Sequence, residues 1–190
     1  MAVSPGIAPL WQVTVEQYHT MIDRGILGPD DRVELLEGVI VQKMTKRPTH
    51  SVATVATSEA LRRVVPRGWS VNAQEPITLE TSEPEPDVAV IRGTRRDYLK
   101  RHPGPGDVGL VVEVADTTLK RDRIVKKRIY AAAGIPFYWI LDLTRRRLVV
   151  YSEPQGADYG QRVLYAPDQT AAVILDGRAV GKVAVSDLLP

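Results

Sequence analysis

Two acidic residues interrupt apolar stretches of the chain, and they are the first candidates for chemistry. Asp87 stands immediately before the apolar run VAVI, and Glu113 lies inside the run LVVEVA. A carboxylate in a buried strand is costly unless a cation or hydrogen-bond donors accompany it. Hard cations such as Mg²⁺ take one or two protein carboxylates and leave other positions to water and phosphate. Both acids are therefore candidate ligands of Mg²⁺ or Mn²⁺; the alternative for Glu113 is the solvated face of an edge strand.

A basic segment downstream of Glu113 offers a cation for the same site. Asp122, Lys126 and Tyr130 recur every four residues, so they share one face of the helix that we predict over 121–133. A lysine beside a metal site can hold an attacking water and offset the charge that develops on phosphate. Lys127 lies about 100° further round the helix, so only one of the two lysines can point at Glu113. The shared face favours Lys126, and solvated surface is the alternative for any single lysine here.

Glu37, in the segment ELLEG, is a further acidic candidate, and the alternative is that it is simply a polar residue of a hairpin turn.

Other catalytic arrangements are missing from the sequence. It contains no cysteine, which excludes disulfides, thiolate nucleophiles and sulfur-bound zinc and is compatible with a reducing cytoplasm. His19, His50 and His102 are too scattered for a histidine-based metal site. No phosphate loop or serine nucleophile elbow is present.

Charge is distributed unevenly along the 190 residues. The net charge is only +2, yet residues 92–147 hold 14 basic and 6 acidic side chains. The middle of the chain can therefore attract a polyanion such as nucleic acid, with ordinary solvated surface as the alternative. The N-terminus lacks the features of a signal peptide, and no apolar run reaches the roughly 18 residues of a membrane span. We expect a cytoplasmic protein without membrane contact.

The elements that must position these residues alternate between helices and strands. Residues 1–12 contain two prolines and a glycine and predict a flexible arm, followed by one domain over 13–190. Helices are predicted over 14–24, 50–65 and 121–133, and a hairpin over 33–44. Buried strands are predicted over 76–79, 88–91, 109–114 and 137–143, with short strands in the tail. This order favours an α/β fold with a mixed sheet flanked by helices, the 121–133 helix lying on a different side from the other two.

Several of these motifs together resemble a known family. They are RVELLEG at 32–38, His50 at the opening of a helix, EPDVAVI at 85–91, and LVVEVADTTLKRDRIVKKRIYAAAGIPFYWILD at 110–142. The chain resembles the Uma-two family, which is described as restriction endonucleases and forms a branch of the PD-(D/E)XK nuclease superfamily. The resemblance runs from about Thr14 to Asp142. It implies a restriction-endonuclease-like fold: a mixed β-sheet flanked by α-helices.

The resemblance also implies roles for individual residues. Pro86-Asp87 stands for the PD of the motif and Glu113 for its second acid, and Glu37 matches the acidic residue that often precedes the first core strands. The motif lysine is missing at Ala115, and the family supplies it from the following helix, here as Lys126. The chain departs from the family at Ala115-Asp116, where a Ser-Pro-like pair is usual, and at Phe137, where Glu is common.

Residue chemistry and resemblance lead to one functional hypothesis. We expect a metal-dependent endonuclease that hydrolyses phosphodiester bonds of nucleic acid, DNA before RNA. Asp87, Glu113 and the carbonyl of Val114 would hold Mg²⁺ or Mn²⁺, with Lys126 as the catalytic cation. Asp122, Tyr130 and His50 are expected to support the site. The alternative is a nuclease fold with little or no catalysis that binds nucleic acid or protein. A homodimer is expected, because cutting both strands of a duplex favours two sites related by a two-fold axis.

Overall fold

Three α-helices and ten strands make up the part of the chain that the computed structural model describes, residues 10–116 and 122–190. The helices are α1 (Val15–Asp23), α2 (Pro48–Val64) and α3 (Lys127–Ala132). The strands are β1 (Val33–Leu36), β2 (Val39–Gln42), β3 (Trp69–Asn72), β4 (Val88–Arg92), β5 (Val108–Ala115), β6 (Phe137–Asp142), β7 (Arg147–Gln155), β8 (Asp158–Tyr165), β9 (Thr170–Leu175) and β10 (Arg178–Ala184).

A six-stranded sheet in the order β3-β4-β5-β6-β7-β8 forms the centre of the fold. Its neighbouring strands are antiparallel except for β5 and β6, which are parallel. The helical segment that ends in α3 makes the crossover between these two parallel strands, which cannot be joined by a tight turn. Two hairpins, β1-β2 and β9-β10, lie outside the central sheet. The mixed sheet with flanking helices confirms the predicted fold class.

Apolar layers cover both faces of the central sheet. On one face, α2 and the β9-β10 hairpin bury side chains against alternate residues of β4, β5 and β6, such as Val112 and Trp139. On the other face, α3 and the segment 77–79 pack against the intervening residues, such as Val111 and Tyr138. Residues 108–115 of β5 are all buried, as expected for a central strand enclosed on both faces. Polar groups on β5 therefore have to find partners within the protein.

Local signals set the boundaries of α1 and α2, which lie within two residues of the predicted ones. Thr14 caps α1, and Gln17 completes a reciprocal capping box with it. Pro48 occupies the first turn of α2, where a missing backbone N–H costs nothing. The α1 helix and the residue before it are joined to the β1-β2 hairpin and to the loop after residues 77–79: the Val13 N–H donates to the carbonyl of Gly38 at 2.8 Å, and His19 Nε2 lies 2.6 Å from Glu83 Oε2. None of the described helices is long and apolar enough to cross a membrane.

One predicted strand is wrong and one strand was not predicted. Residues 76–79 form no ladder, although Ile77 and Leu79 are buried as the apolar pattern indicated. Their amides bond to Pro84 and Ser82 within an irregular loop that folds over the sheet. The strand in this region is β3, whose sequence WSVN is too short to give a clear signal; its ladder with β4 and the packing of Trp69 and Val71 in the core stabilise it. The predicted helix over 121–133 appears as a π-helical turn, Asp122–Lys126, followed by α3.

Gly109 is required by packing, and its substitution gives a stability test. A Cβ atom at this position would lie 2.6 Å from Leu175 Cδ2 and 2.8 Å from Trp69 Cζ3. Gly109→Ala should lower the free energy of unfolding by about 1–3 kcal/mol, because overpacking forces neighbours to shift. Gly106→Ala is the matched control, since no atom lies within 4 Å of its Cβ position. Urea denaturation of both variants checks this; equal stabilities would contradict the packing argument.

Candidate functional site

A buried lysine contacts two buried carboxylates next to β5. Lys126 Nζ lies 2.9 Å from Glu113 Oε1 and 3.4 Å from Glu34 Oε2. The Tyr130 hydroxyl donates to the same Glu113 oxygen at 2.8 Å. Glu34, Glu113 and Lys126 are only 1%, 3% and 3% exposed. Charges so deeply buried are tolerated only when opposite charges and hydrogen bonds compensate them, so each member of this cluster depends on the others.

Asp87 lies beside this cluster at the start of β4. The antiparallel register pairs Val88 with Val112, and its continuation places Asp87 opposite Glu113. Asp87 Oδ2 accepts the Val114 N–H at 2.8 Å and lies 3.1 Å from His50 Nε2. The aspartate is therefore held by the strand that carries Glu113 and by the first turn of α2. Its carboxylate is 8% exposed, which leaves it close to the surface end of the site.

Three local structures deliver the side chains of the site. Strand β5 carries Glu113 on the face that α3 covers, between Val111 and Ala115 of the same apolar layer. The chain turns into α3 so that Lys126 and Tyr130, one helical turn apart, reach the same carboxylate oxygen. Strand β1 brings Glu34 to within 3.4 Å of the same lysine. The cluster therefore joins three segments that are far apart in the sequence, around Glu34, Glu113 and Lys126.

Tyr130 acts in the cluster as a neutral hydrogen-bond donor. Complete burial raises the pKa of its phenol well above the ordinary value, and the negative charge of Glu113 adds to the effect. The hydroxyl therefore keeps its proton over the physiological range and donates it to Glu113 Oε1. A neutral donor fixed at this position gives the Glu113 carboxyl group a hydrogen bond inside an apolar layer.

Basic side chains stand at the entrance to the site, on the loop between β2 and α2. Partial burial lowers the pKa of Lys46, and the charges of Arg32 and Lys43 act in the same direction, whereas Asp87 and another carboxylate nearby oppose the shift. Arg47 lies 3.6 Å from Asp116, the residue after β5. An exposed cationic loop next to Asp87 suits the binding of a negatively charged group.

Other candidate residues from the sequence lie elsewhere in the described structure. Glu37 sits at the turn between β1 and β2 with a φ of 49°, and its carboxylate receives two hydrogen bonds from Arg128. Lys127 Nζ pairs with Asp158 at 2.7 Å, away from Glu113. His102 is exposed on the loop between β4 and β5. The side chain of Asp122 and part of the predicted arm, residues 1–9, lie outside the described residues.

Sequence reasoning missed Glu34, which approaches Lys126 instead of Glu37. A signal was available, because Glu34 interrupts the apolar strand VELL in the way that Glu113 interrupts its own strand. The Glu34 carboxylate also accepts the Glu85 N–H at 3.3 Å. Glu37, the half-buried turn residue of the same ELLEG segment, is paired with Arg128 instead.

The basic segment between β4 and β5 is connected to the far ends of these strands and not to the ends that carry the site. It joins Arg92 to Val108, at the end of the two strands remote from Asp87 and Glu113. Arg92 is paired with Asp176 and Arg101 with Asp107, each at 2.6 Å. Part of the excess positive charge is thus neutralised locally.

The two departures from the family pattern have distinct surroundings. Ala115 is fully buried in the apolar layer under α3. A lysine at this position would place its ammonium in that layer, away from water. Asp116 is half-buried and pairs with Arg47. Phe137 opens β6 and packs against the opposite apolar layer. The position where the motif has a lysine is therefore part of the apolar core. The ammonium group that contacts Glu113 belongs to Lys126.

The donor set fits a hard divalent cation held by few protein ligands. Among the described residues, no three His, Asp or Glu side chains already converge on one point at metal-binding distance. Asp87 and Glu113 nevertheless occupy opposed positions on β4 and β5, and carboxylate oxygen is the ligand that Mg²⁺ and Mn²⁺ prefer. Such ions commonly keep several water ligands, so two protein carboxylates are sufficient.

Comparison with known proteins identifies the family. The family model Uma2, described as "Putative restriction endonuclease", matches residues 15–179. The chain belongs to the Uma2 family. Among solved structures, it is similar to "a putative nuclease belonging to DUF820" from Anabaena variabilis, with a TM-score of 0.66 and 18% identity over 93% of this chain and 97% of that one. This likeness supports the fold of a nuclease-like Uma2 protein. A search of curated protein sequences found no match.

The buried ion cluster of this Uma2 protein predicts unequal effects for two adjacent lysines. Lys126→Ala should lower the free energy of unfolding by about 3–5 kcal/mol, because it leaves buried carboxylates without their cation. Lys127→Ala should cost about 1 kcal/mol or less, because Asp158 is 65% exposed and the pair is screened by water. Urea denaturation at neutral pH measures both; a Lys126 effect as small as that of Lys127 would refute the energetic role of the cluster.

Tyr130 predicts a loss of stability at alkaline pH. Its pKa is raised in the folded protein, so its contribution is fully present below about pH 10 and declines as the pH rises above the unfolded value. Relative to wild type, Tyr130→Phe should therefore gain about 1.4 kcal/mol between pH 8 and pH 11. Chemical denaturation at both pH values tests this, with Tyr165→Phe at a half-buried position as the control. No relative gain for Tyr130→Phe would contradict the protonated state.

Proposed function

We propose that this chain is a metal-dependent endonuclease that hydrolyses phosphodiester bonds of nucleic acid, with DNA as the substrate. The observation that carries the proposal is the buried contact of Lys126 with Glu113, placed opposite Asp87 by the β4-β5 register. Two acids at this place can hold a divalent cation, and a lysine beside them can offset the charge that develops on phosphate, which suits metal-assisted phosphodiester hydrolysis. Membership in a family of nuclease-like proteins agrees with this chemistry.

Asp87, Glu113 and the backbone carbonyl of Val114 are the proposed ligands of Mg²⁺, with Mn²⁺ as a substitute. In a strand, the N–H and the C=O of one residue point to the same side. Because the Val114 N–H donates to Asp87, the Val114 carbonyl is directed to the same side. Glu34 contacts Lys126 as Glu113 does, so we propose it, and not Glu37, as the third acidic residue of the site.

A bound divalent cation would supply a water of lowered pKa and neutralise charge on the phosphodiester. The chain's own residues would position the attacking water and compensate the negative charge on the phosphate. Lys126 is proposed to hold the attacking water and to donate to a phosphate oxygen as its negative charge increases. Tyr130 keeps Glu113 in place through its hydroxyl, and His50 does the same for Asp87. The last two are positioning residues, and Asp122 is proposed for the same part.

The substrate backbone is proposed to enter along the loop between β2 and α2. Lys46 and Arg47 are exposed beside Asp87 and Asp116, so they can contact phosphates on either side of the cleaved bond. The exposed arginines of the β4-β5 segment, such as Arg95 and Arg96, would add contacts without reading sequence. Two copies acting together as a homodimer would cut both strands of a duplex.

Cleavage of supercoiled plasmid and of single-stranded DNA tests the proposal. Wild-type protein with Mg²⁺ or Mn²⁺ should nick or linearise DNA, and chelation with EDTA should stop it. Glu113→Gln should reduce the rate at least about 100-fold, since it removes one charged ligand of the cation. Retention of DNA binding without any metal-dependent cleavage by wild-type protein would instead identify a nuclease fold that acts in binding.

The two adjacent lysines give a second functional prediction. Lys126→Ala should reduce cleavage by about 100-fold or more while leaving DNA affinity nearly unchanged, because one phosphate contact is a small share of the total. Lys127→Ala should change neither, since its ammonium is paired with Asp158. Cleavage rates and fluorescence-anisotropy titrations separate catalysis from binding. Equal losses in both variants would reject the assignment of Lys126, and circular dichroism verifies that each variant is folded.

A further inference from the structure

A cavity lies at the β3 edge of the central sheet, and no residue of the ion cluster lines it. Its volume of about 310 Å³ is at the lower end of the roughly 300–1,000 Å³ that is usual for small-molecule sites. Its walls are Val65, the four residues of β3 and the side chains of Arg62 and Arg95. None of these lining residues is acidic, so this β3 cavity suits a small ligand that carries negative charge.

Two arginines give the β3 cavity its positive charge. Arg62 comes from α2 and Arg95 from the short helical turn after β4, and both are exposed. Neither forms an ion pair with a described residue, whereas the neighbouring Arg92 is paired with Asp176 at 2.6 Å. A guanidinium offers five N–H donors in a planar fork that matches the oxygens of phosphate. Two guanidinium groups without a carboxylate partner therefore favour a phosphate group as occupant of the cavity.

The backbone of β3 adds a further donor to the cavity. The carbonyl of Gly68 and the N–H of Gln74 bond to residues that flank β4, at 2.7 and 3.2 Å. Because backbone groups alternate in direction along an antiparallel pair, those of Val71 point away from β4. The Arg62 guanidinium donates to the Val71 carbonyl from this outer side at 3.4 Å. The Val71 N–H points to the same side and can therefore donate to a ligand in the cavity.

Two polar side chains of the cavity wall have no hydrogen-bond partner in the part of the chain that the structure describes. They are Ser70, through its Oγ, and Asn72, through its Oδ1, and both atoms are buried. Asn72 as a whole is only 9% exposed. Buried polar atoms in proteins are nearly always hydrogen-bonded. An amide oxygen needs a donor, which an ionised phosphate does not supply, so the fitting occupant carries hydroxyl or amino groups as well as phosphate.

We propose that the β3 cavity binds one nucleotide. Its phosphate lies between Arg62 and Arg95 and accepts the Val71 N–H, while a hydroxyl of the sugar or an amino group of the base donates to Asn72. The four residues of β3 span about 10 Å, so separate groups of one nucleotide can reach both ends of the cavity. The nucleotide is either free or part of a strand, and the recognising groups are the same in both cases.

The position of the cavity on the sheet relates it to the proposed nuclease site. Asn72 pairs with Ala89, which follows Asp87 by two residues. Residues two apart on a strand share a face and are about 7 Å apart. A nucleic acid strand cleaved at Asp87 could therefore extend one of its nucleotides into the β3 cavity. Only this strand-bound case rests on the proposed nuclease function; a site for a free nucleotide does not require it.

Proton–nitrogen correlation NMR of the full chain tests the site, in EDTA so that binding is measured apart from metal-dependent cleavage. Adenosine monophosphate should shift the Val71 amide and the Trp69 indole signals and leave the amides of β8 unchanged. The second probe is a short single-stranded oligodeoxyadenylate, and shifts with this probe alone assign the cavity to a nucleotide within a strand. Unshifted Val71 and Trp69 signals with both probes would overturn the proposal, as would inorganic phosphate that binds as tightly as the nucleotide.

Variants of the cavity wall test both halves of the site. Replacing Arg62 and Arg95 together by Gln should raise the dissociation constant of the nucleotide probe by about tenfold or more, because charged hydrogen-bond donors are lost. Arg162→Gln is the matched control, since this arginine is exposed on β8 at the opposite edge of the sheet, and it should have no such effect.

Asn72→Ala separates recognition of the nucleoside from recognition of phosphate. It should weaken binding of the nucleotide probe by about threefold or more and leave the affinity for inorganic phosphate unchanged, because only the nucleotide carries a donor for the amide oxygen. Equal weakening of both ligands, or equal effects of the arginine variants at the two sheet edges, would reject the assignment. Circular dichroism verifies that each variant folds like wild type.

Discussion

The ammonium of Lys126 lies buried between the carboxylates of Glu113 and Glu34, and the surrounding structure is arranged to make that burial possible. Isolated charges at this depth would be unstable, so strand β5, strand β1 and the segment leading into α3 must meet at one point. Tyr130 supplies the remaining donor from one helical turn further on. The folding of three distant segments is thereby coupled to the chemistry proposed for them.

The central strand β5 explains why the lysine comes from elsewhere. All eight of its residues are buried, and Ala115 lies in the apolar layer beneath α3. A lysine at that position would disrupt this layer, whereas a long side chain from the crossover can reach Glu113 with its stem in the apolar layer. The parallel pairing of β5 and β6 requires a crossover at this place, so the same connection satisfies topology and delivers the cation.

The charges near the surface are organised differently from the buried ones. Lys46 and Arg47 stand beside the entrance, and their charges remain accessible to a phosphate backbone. Arg92, at the end of β4, and Arg101, on the segment that follows, are paired with Asp176 and Asp107 at 2.6 Å. An excess of basic residues in one part of the sequence thus overstates the positive surface near the site. Local ion pairs, which depend on the tertiary arrangement, decide how much of that charge can attract a polyanion.

The sequence by itself determined the fold class, and it singled out three residues that the structure brings into contact, Glu113, Lys126 and Tyr130. Acidic residues inside apolar strands, as at Glu113, and four-residue spacing on a helix, as for Lys126 and Tyr130, follow from burial energetics and helix geometry. Capping at Thr14 and the apolar periodicity likewise gave most helices and strands. Tertiary structure alone decided that β3 forms, since the four residues WSVN are too short a run to indicate a strand without the ladder to β4. It also decided that Glu34 rather than Glu37 approaches Lys126, because the face to which a short hairpin turns its side chains depends on what packs against it.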